Sequence, residues 1–294
     1  MTLHSKVGRD HAAGAEDVRL LHPLRLPAGS TGDSPIRGQH VGVAVDVETT
    51  SLDVNEGKIV EIAIRRFIYN VDRVITDVQE PFEWREDPGE PLDPKIAALT
   101  GLTDADLAGR TIDEEAATRL LTSASFVVAH NSSFDRNWVE RRLPGAAGLN
   151  WVCSMSQVDW RSRGFDGKSL GYLLLQAGYY HCGHRASADV DALIQMLRTV
   201  GPNGRTALSE LIETGAKPGW IVRARGAPFD AKDRLKARGY RWDPAEGRRV
   251  WWREVTDDDL ALEQLWLAVN VYADERAQHI CPELETITPR TRFI

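Results

Sequence analysis

The chain has 294 residues, 42% of them apolar and 27% charged, with a formal net charge of −7. That length suits one large α/β domain with a small module, and the balance is that of an ordinary globular protein, not a polycation that binds by bulk charge. No apolar run approaches the roughly 20 residues that span a bilayer, and the first residues lack the apolar core of a signal peptide, so the expectation is a cytoplasmic protein with no membrane partner. Three well-separated cysteines, Cys153, Cys182 and Cys281, suit a reducing compartment better than a disulfide framework.

Residues 1–38 scatter Gly, Pro, Ser and charges without a period and read as a flexible N-terminal arm. At His40 the texture changes. VGVAVDVE, KIVEIAIRRFIY and RVITDVQEPF read as three strands, the last two joined as a hairpin across Asn70–Asp72. PLDPKIAALTGLTDADLAG reads as short helices and turns, residues 113–123 as an amphipathic helix, and ASFVVAHN as a fourth strand. A helix over SSFDRNWVERRL, a short strand at WVCS, and helices at SLGYLLLQAG and ASADVDALIQMLRTV follow.

GPNG at 201–204 marks a boundary. The division in chain order is a large α/β domain over 39–203, a linker or helix over 204–218, a small basic aromatic α+β module over 219–256, and a C-terminal helix and tail over 257–294. Thr256 is the N-cap candidate for that last helix. Between Gly219 and Arg253 ten Lys/Arg oppose four Asp/Glu, a local balance of +6 in an acidic chain.

The chemistry lies in the carboxylates. Asp46 and Glu48 end the first strand, and their i, i+2 spacing puts both on one face. Asp135 opens the helix after the fourth strand. Asp189 lies in a later helix, five residues after His184. Acids at strand ends and helix starts of one sheet can converge where α/β folds usually place their sites. Four converging carboxylates repel one another unless cations neutralise them. Two divalent cations, Mg²⁺ or Mn²⁺, would do so and would serve phosphodiester hydrolysis. Such hydrolysis also needs a base for the attacking water, and His184 has a suitable intrinsic pKa.

VAVDVETTSL, AHNSSFDRNWVE and HRASADVDAL resemble the three motifs of the DEDDh 3′→5′ exonucleases, the family that includes the proofreading epsilon subunit of bacterial DNA polymerase III. IAALTGLTDADL resembles that family's usual connecting run. The resemblance spans roughly residues 40–200. It implies an RNase H-like mixed sheet flanked by helices, and release of nucleoside 5′-monophosphates from 3′ ends. It makes Asp46, Glu48, Asp135 and Asp189 the metal ligands and His184 the general base. It brings Thr49, Thr50 and Leu52 to the terminal nucleotide, and gives Asn131 a supporting part in the second motif. Ser51 stands where many members have Gly, and Trp138 is larger than the usual residue.

Rival groups read more plainly. Asp191 points away from Asp189 on a helix and is expected at solvent or behind the site. Asp159 is a second rival carboxylate. His181, Cys182 and His184 lack a fourth ligand of zinc-type spacing. Lys168 is an exposed lysine within reach of a phosphate. In the module, tryptophans mixed with cations suit either a tiny core or a surface that stacks bases and neutralises phosphates. The leading reading is an exonuclease acting on DNA 3′ ends, free-standing in the absence of a recognisable polymerase-binding peptide. An RNA 3′-end trimming nuclease and a non-catalytic nucleic-acid-binding or polymerase-associated subunit, with a polymerase or repair protein as partner, are the alternatives.

Overall fold

The computed structural model describes residues 19–33, 38–181, 183–244, 247–273 and 281–293. Short strands β1 (His22–Pro23) and β2 (Gly29–Ser30) precede the long β3 (His40–Thr49) and β4 (Ile59–Tyr69), then β5 (Ile75–Val78) and β6 (Phe82–Arg85). Helices α1 (Pro94–Thr100), α2 (Asp104–Leu107) and α3 (Glu114–Thr122) lead into β7 (Phe126–Ala129), α4 (Ser132–Arg142) and β8 (Trp151–Cys153). Next come α5 (Ser154–Gln157), α6 (Leu170–Gln176), β9 (Tyr179–Tyr180), α7 (Ala186–Leu197) and α8 (Ala207–Ala216). The remainder is β10 (Gly219–Ala224), α9 (Lys232–Ala237), β11 (Arg241–Asp243), β12 (Val250–Thr256), α10 (Leu260–Asn270) and β13 (Glu283–Ile287).

The main sheet runs β2-β5-β4-β3-β7-β8, with β6 also paired to β4. β3 is antiparallel to β4 but parallel to β7, which is parallel to β8. This is the helix-flanked, RNase H-like mixed sheet expected from the sequence. The alternation along β3 sorts its side chains. Val43, Val45 and Val47 join the core under α3 and α4. Ala44 joins the opposite core with Ala63, where α7 packs on β3 and β4. Small residues there let the helix lie close to the sheet. The same parity carries Asp46 and Glu48 to the α7 side.

Two elements differ from the sequence reading. RVITDVQEPF is two strands: β5 pairs one end of β4, at Phe67–Tyr69, and β6 pairs the other, at Glu61–Ile64. Pro81, which has no N–H to give a ladder, lies in the break. Residues 19–33 do not run free as an arm. β1 pairs β9, β2 pairs β5, and Leu26 is buried with its carbonyl accepting from Arg65 Nη2 at 2.8 Å. The arm reading for 1–18 and 34–37 falls outside the described residues.

The second sheet runs β11-β12-β10-β13. Its core of Val222, Ala224, Leu235, Tyr240 and Leu267 includes residues of α9 and α10. β13 follows α10 and pairs antiparallel with β10, so residues beyond 256 complete this sheet. The sequence reading put only a helix and tail there. The acids of ELETI suit a strand because Arg223 and Arg225, from and just after β10, pair with Glu283, and Arg223 also with Glu285. Thr256 does not cap α10: its Oγ1 accepts from the Asp259 amide at 3.2 Å, holding the turn before the helix.

Candidate metal centre

Asp46, Glu48 and Asp189 each offer an oxygen, all within 4.8 Å of one another. The first two stand at the end of β3, and the third in the first turn of α7. Glu61 explains why α7 begins where it does. It is fully buried on β4, directly opposite Glu48. Its carboxylate receives Arg185 Nη2 at 2.9 Å, Arg185 Nε at 3.2 Å and the Ala186 amide at 3.0 Å. The N-terminus of α7 is thereby pinned to the sheet, and Asp189 with it.

Asp135 arrives from the other side. Its helix α4 starts just past β7, the strand parallel to β3. The side chain is 3% exposed and receives the Val47 amide. Burial first, then the charges of Glu48 and Asp189, pushes its pKa up to about 7, against the pull of backbone N–H groups. Burial and the charges of Asp189 and Glu61 push Glu48 up to about 7, with Arg185 opposing. Asp46 is held well above the ordinary carboxylate range by burial and by Asp135, Asp189, Glu48 and Glu61. Burial and mutual repulsion thus oppose the ionisation of Asp46, Glu48 and Asp135 together. A divalent cation beside them would reverse that balance.

The other expected residues are disposed differently. Thr49 is buried, and its hydroxyl donates to Ser51 O at 2.7 Å. Thr50 Oγ1 accepts from the Lys58 amide at 3.0 Å, closing the loop after β3. Leu52 is 88% exposed. Asn131 precedes α4 without a side-chain cap, and its Oδ1 accepts from Ser133 Oγ at 3.1 Å. His184 is exposed, with a left-handed φ of 63° that aims its amide at Asp189 Oδ2, 2.9 Å away. The imidazole actually on Asp189 is that of His181, with Nε2 2.7 Å from Oδ1.

His181 is a correction to the sequence reading, which weighed it only as a zinc ligand; Cys182 lies outside the described residues. Glu61 was also passed over. Its signal was an acid inside the apolar run KIVEIAI, where only a paired carboxylate is tolerated. Asp191 is not at solvent: it pairs with Arg65, whose side chain is 2% exposed. Lys168 contributes its carbonyl, 2.6 Å from His130 Nε2. Trp138 gains an account as well. It is buried under the loop after β3, and a Cβ on Gly57 would lie 2.8 Å from its ring. Leu52, Val54, Phe134 and Trp138 line an open groove of about 420 Å³.

The chain is similar to several known proteins. The "DNA polymerase III PolC-type" of Halalkalibacterium halodurans is 34% identical over 99 residues, covering 33% of this chain and 6% of that protein. The PolC-type protein of Streptococcus pyogenes serotype M18 is 34% identical over 109 residues, 35% of this chain and 7% of its own. The chain thus spans a small fraction of the length of these relatives. Among solved structures, the zinc-bound E. coli ExoI–ssDNA complex aligns with a TM-score of 0.51 at 14% identity, over 74% of this chain and 63% of that one, a likeness of fold. Exonuclease X in complex with 5′ overhanging duplex DNA is 26% identical, with a TM-score of 0.42, over 59% of this chain and 99% of that one. Residues 43–197, more than half of the chain, match the RNase_T exonuclease model, and the chain belongs to that exonuclease family.

Proposed function

We propose that the chain is a metal-dependent 3′→5′ exonuclease that releases nucleoside 5′-monophosphates from the 3′ ends of DNA. The observation that carries this reading is the convergence of Asp46, Glu48 and Asp189 within 4.8 Å, with Asp135 charge-coupled to them from α4. The donor set is all hard carboxylate oxygen, which fits Mg²⁺ or Mn²⁺ and not a thiolate-seeking metal. Asp46, Glu48, Asp135 and Asp189 would hold two such cations. Bound there, they supply an activated hydroxide and stabilise the leaving oxygen.

The remaining roles fall to groups around the acids. His184, exposed beside Asp189, accepts the proton of the attacking water. The loop Thr49–Leu52 meets the terminal nucleotide: the threonine side chains hold the loop, and exposed Leu52 packs against the last base. Asn131 supports the turn into α4. The PolC-type relatives are DNA polymerases by name, and the ExoI structure carries single-stranded DNA; both support DNA as the substrate. Residues 39–203 form the nuclease domain in this reading, and the basic module after the 204–218 linker holds the strand.

The test is incubation with 3′-labelled and 5′-labelled single-stranded DNA and RNA, with Mg²⁺, Mn²⁺ or EDTA. Mononucleotide release from the 3′ end of DNA, abolished by EDTA, is the expected result. Preference for RNA would shift the substrate class, and no cleavage with either metal would refute the reading.

A further inference from the structure

The segment Thr288–Phe293 leaves β13 and crosses back onto the nuclease domain, where it meets α4, the helix that carries Asp135. Arg136, the next residue, has a side chain only 1% exposed. It donates Nη2 to Arg290 O at 2.7 Å and Nη1 to Arg292 O, and its Nε pairs with Glu140 at 2.8 Å. Phe293 packs into the core that holds Trp138, Val139 and Trp151, and the Trp151 amide, on β8, donates to Pro289 O at 3.4 Å.

Arg292 ties the same segment to the module. Its side chain is 5% exposed. Nε reaches Glu254 Oε1 on β12 at 2.8 Å, Nη1 reaches Gly215 O at 3.2 Å and Nη2 reaches Lys217 O at 2.9 Å. A buried arginine with its donors satisfied by fixed carbonyls is costly to disturb. Two such arginines, side by side, close one continuous path from β12 through the tail to α4.

We propose that this tail is a clamp that sets the rotation of α4, with Arg136 and Arg292 as positioning residues for Asp135. Without the tail, Arg136 keeps Glu140 alone and loses two carbonyl acceptors together with the segment that covers it. The helix then loses the contacts that fix its rotation against the β12–tail path. A carboxylate about 5 Å from a helix axis moves roughly 1 Å for a 10° rotation, and shifts of that order weaken both metal binding and turnover. The module therefore acts on the active site through the backbone of its own tail. This rests on Asp135 being a metal ligand.

The experiment compares the full chain with a chain ended after Ile287 and with Arg136→Gln in the full chain, all checked by circular dichroism. Mn²⁺ binding is read by electron paramagnetic resonance of free Mn²⁺, and kcat and KM on a short 3′-labelled DNA. Loss of an outer-shell support of this kind costs about 10- to 100-fold in metal affinity. The expected result is that loss in both variants, with a matching fall in kcat and KM within about twofold. A synthetic peptide of residues 288–294, added in trans, restores Mn²⁺ affinity to the shortened chain. Wild-type Mn²⁺ affinity in a folded shortened chain overturns the clamp. If that chain does not fold, wild-type affinity in Arg136→Gln does so. Asp135→Asn separates the two readings, since unchanged Mn²⁺ binding there sinks the site assignment whatever the tail does.

Discussion

His181 Nε2 lies 2.7 Å from Asp189 Oδ1, while the other oxygen of the same carboxylate accepts the His184 amide at 2.9 Å. Two histidines three residues apart thus hold one acid, one by its ring and one by its backbone. A cation drawn to the Asp189 oxygen that the His181 ring holds would compete with that ring. His181→Ala is expected to leave turnover within about threefold of wild type and to tighten Mn²⁺ binding. His184→Ala should lower kcat about 10²- to 10⁴-fold, the usual worth of a general base, with Mn²⁺ binding little changed. The opposite ranking of the two variants would move the base to His181.

Asp46 is the acid most strongly surrounded by others. Asp46→Asn keeps its size and removes its charge. Losing a cation ligand removes several kcal/mol of transition-state stabilisation, so the rate should fall at least about 10³-fold. Thermal stability of the metal-free protein should rise at alkaline pH, where Asp46 would otherwise be driven to ionise among like charges. Lowered stability with activity intact would show that Asp46 is structural.

Asp135 and Glu48 are each pushed up to about 7 from the ordinary carboxylate range. In metal-free protein the folded state therefore binds more protons than the unfolded chain between about pH 4 and 7. Their contribution to stability is fully present below the unfolded pKa and is lost as pH rises through about 7. Cations reverse this by favouring the ionised forms. The increase in melting temperature on adding Mg²⁺ should be small at pH 5.5 and large at pH 8, followed by scanning calorimetry. An increase independent of pH would mean that the cation binds elsewhere.

Arg65 is buried and shares hydrogen bonds with Gln79 O, Leu26 O and Asp191. Asp191→Ala leaves that guanidinium without its counter-charge, a change that costs about 3 kcal/mol. Urea denaturation measures it. The nuclease rate of the folded fraction should be near wild type, since the pair lies behind the site.

In the module, Arg223, Arg225, Arg238 and Arg253 are already paired with Glu283, Glu285 or Glu263. Of the others, Arg248 pairs with Asp243, and Lys232 and Arg241 lie over the Phe229 and Trp252 rings, which leaves Arg234, Lys236 and Arg249 to meet phosphate, with neither kind of contact among the described residues. Phe229 and Trp242 are 81% and 48% exposed beside them in sequence. Replacing the three cations with Ala should weaken binding of single-stranded DNA and reduce the salt slope by about two to three. Phe229→Ala and Trp242→Ala should each cost about 1–3 kcal/mol of affinity if a base stacks there. Fluorescence anisotropy at two salt concentrations decides it; unchanged affinity in all these variants removes the module from the binding surface.

What the sequence determined by itself was local and periodic. The i, i+2 pair Asp46 and Glu48, the helix opening at Asp135 and the interval from His184 to Asp189 are legible because strand and helix periods fix which side chains share a face. The two faces of β3 follow from the same alternation, since Val43, Val45 and Val47 share one side and Ala44 and Asp46 the other, while the RNase H-like mixed sheet was what the resemblance of the three motifs implied. What only the tertiary structure decided concerns partners far apart in the chain. That Glu61 anchors Arg185, that Asp191 answers Arg65, and that His181 reaches Asp189 while His184 turns outward depend on packing that no short window contains. The tail is the extreme case. Arg292 and Arg136 are 156 residues apart, and burying an arginine against a carbonyl is favourable only once the whole fold has brought the two together and excluded water.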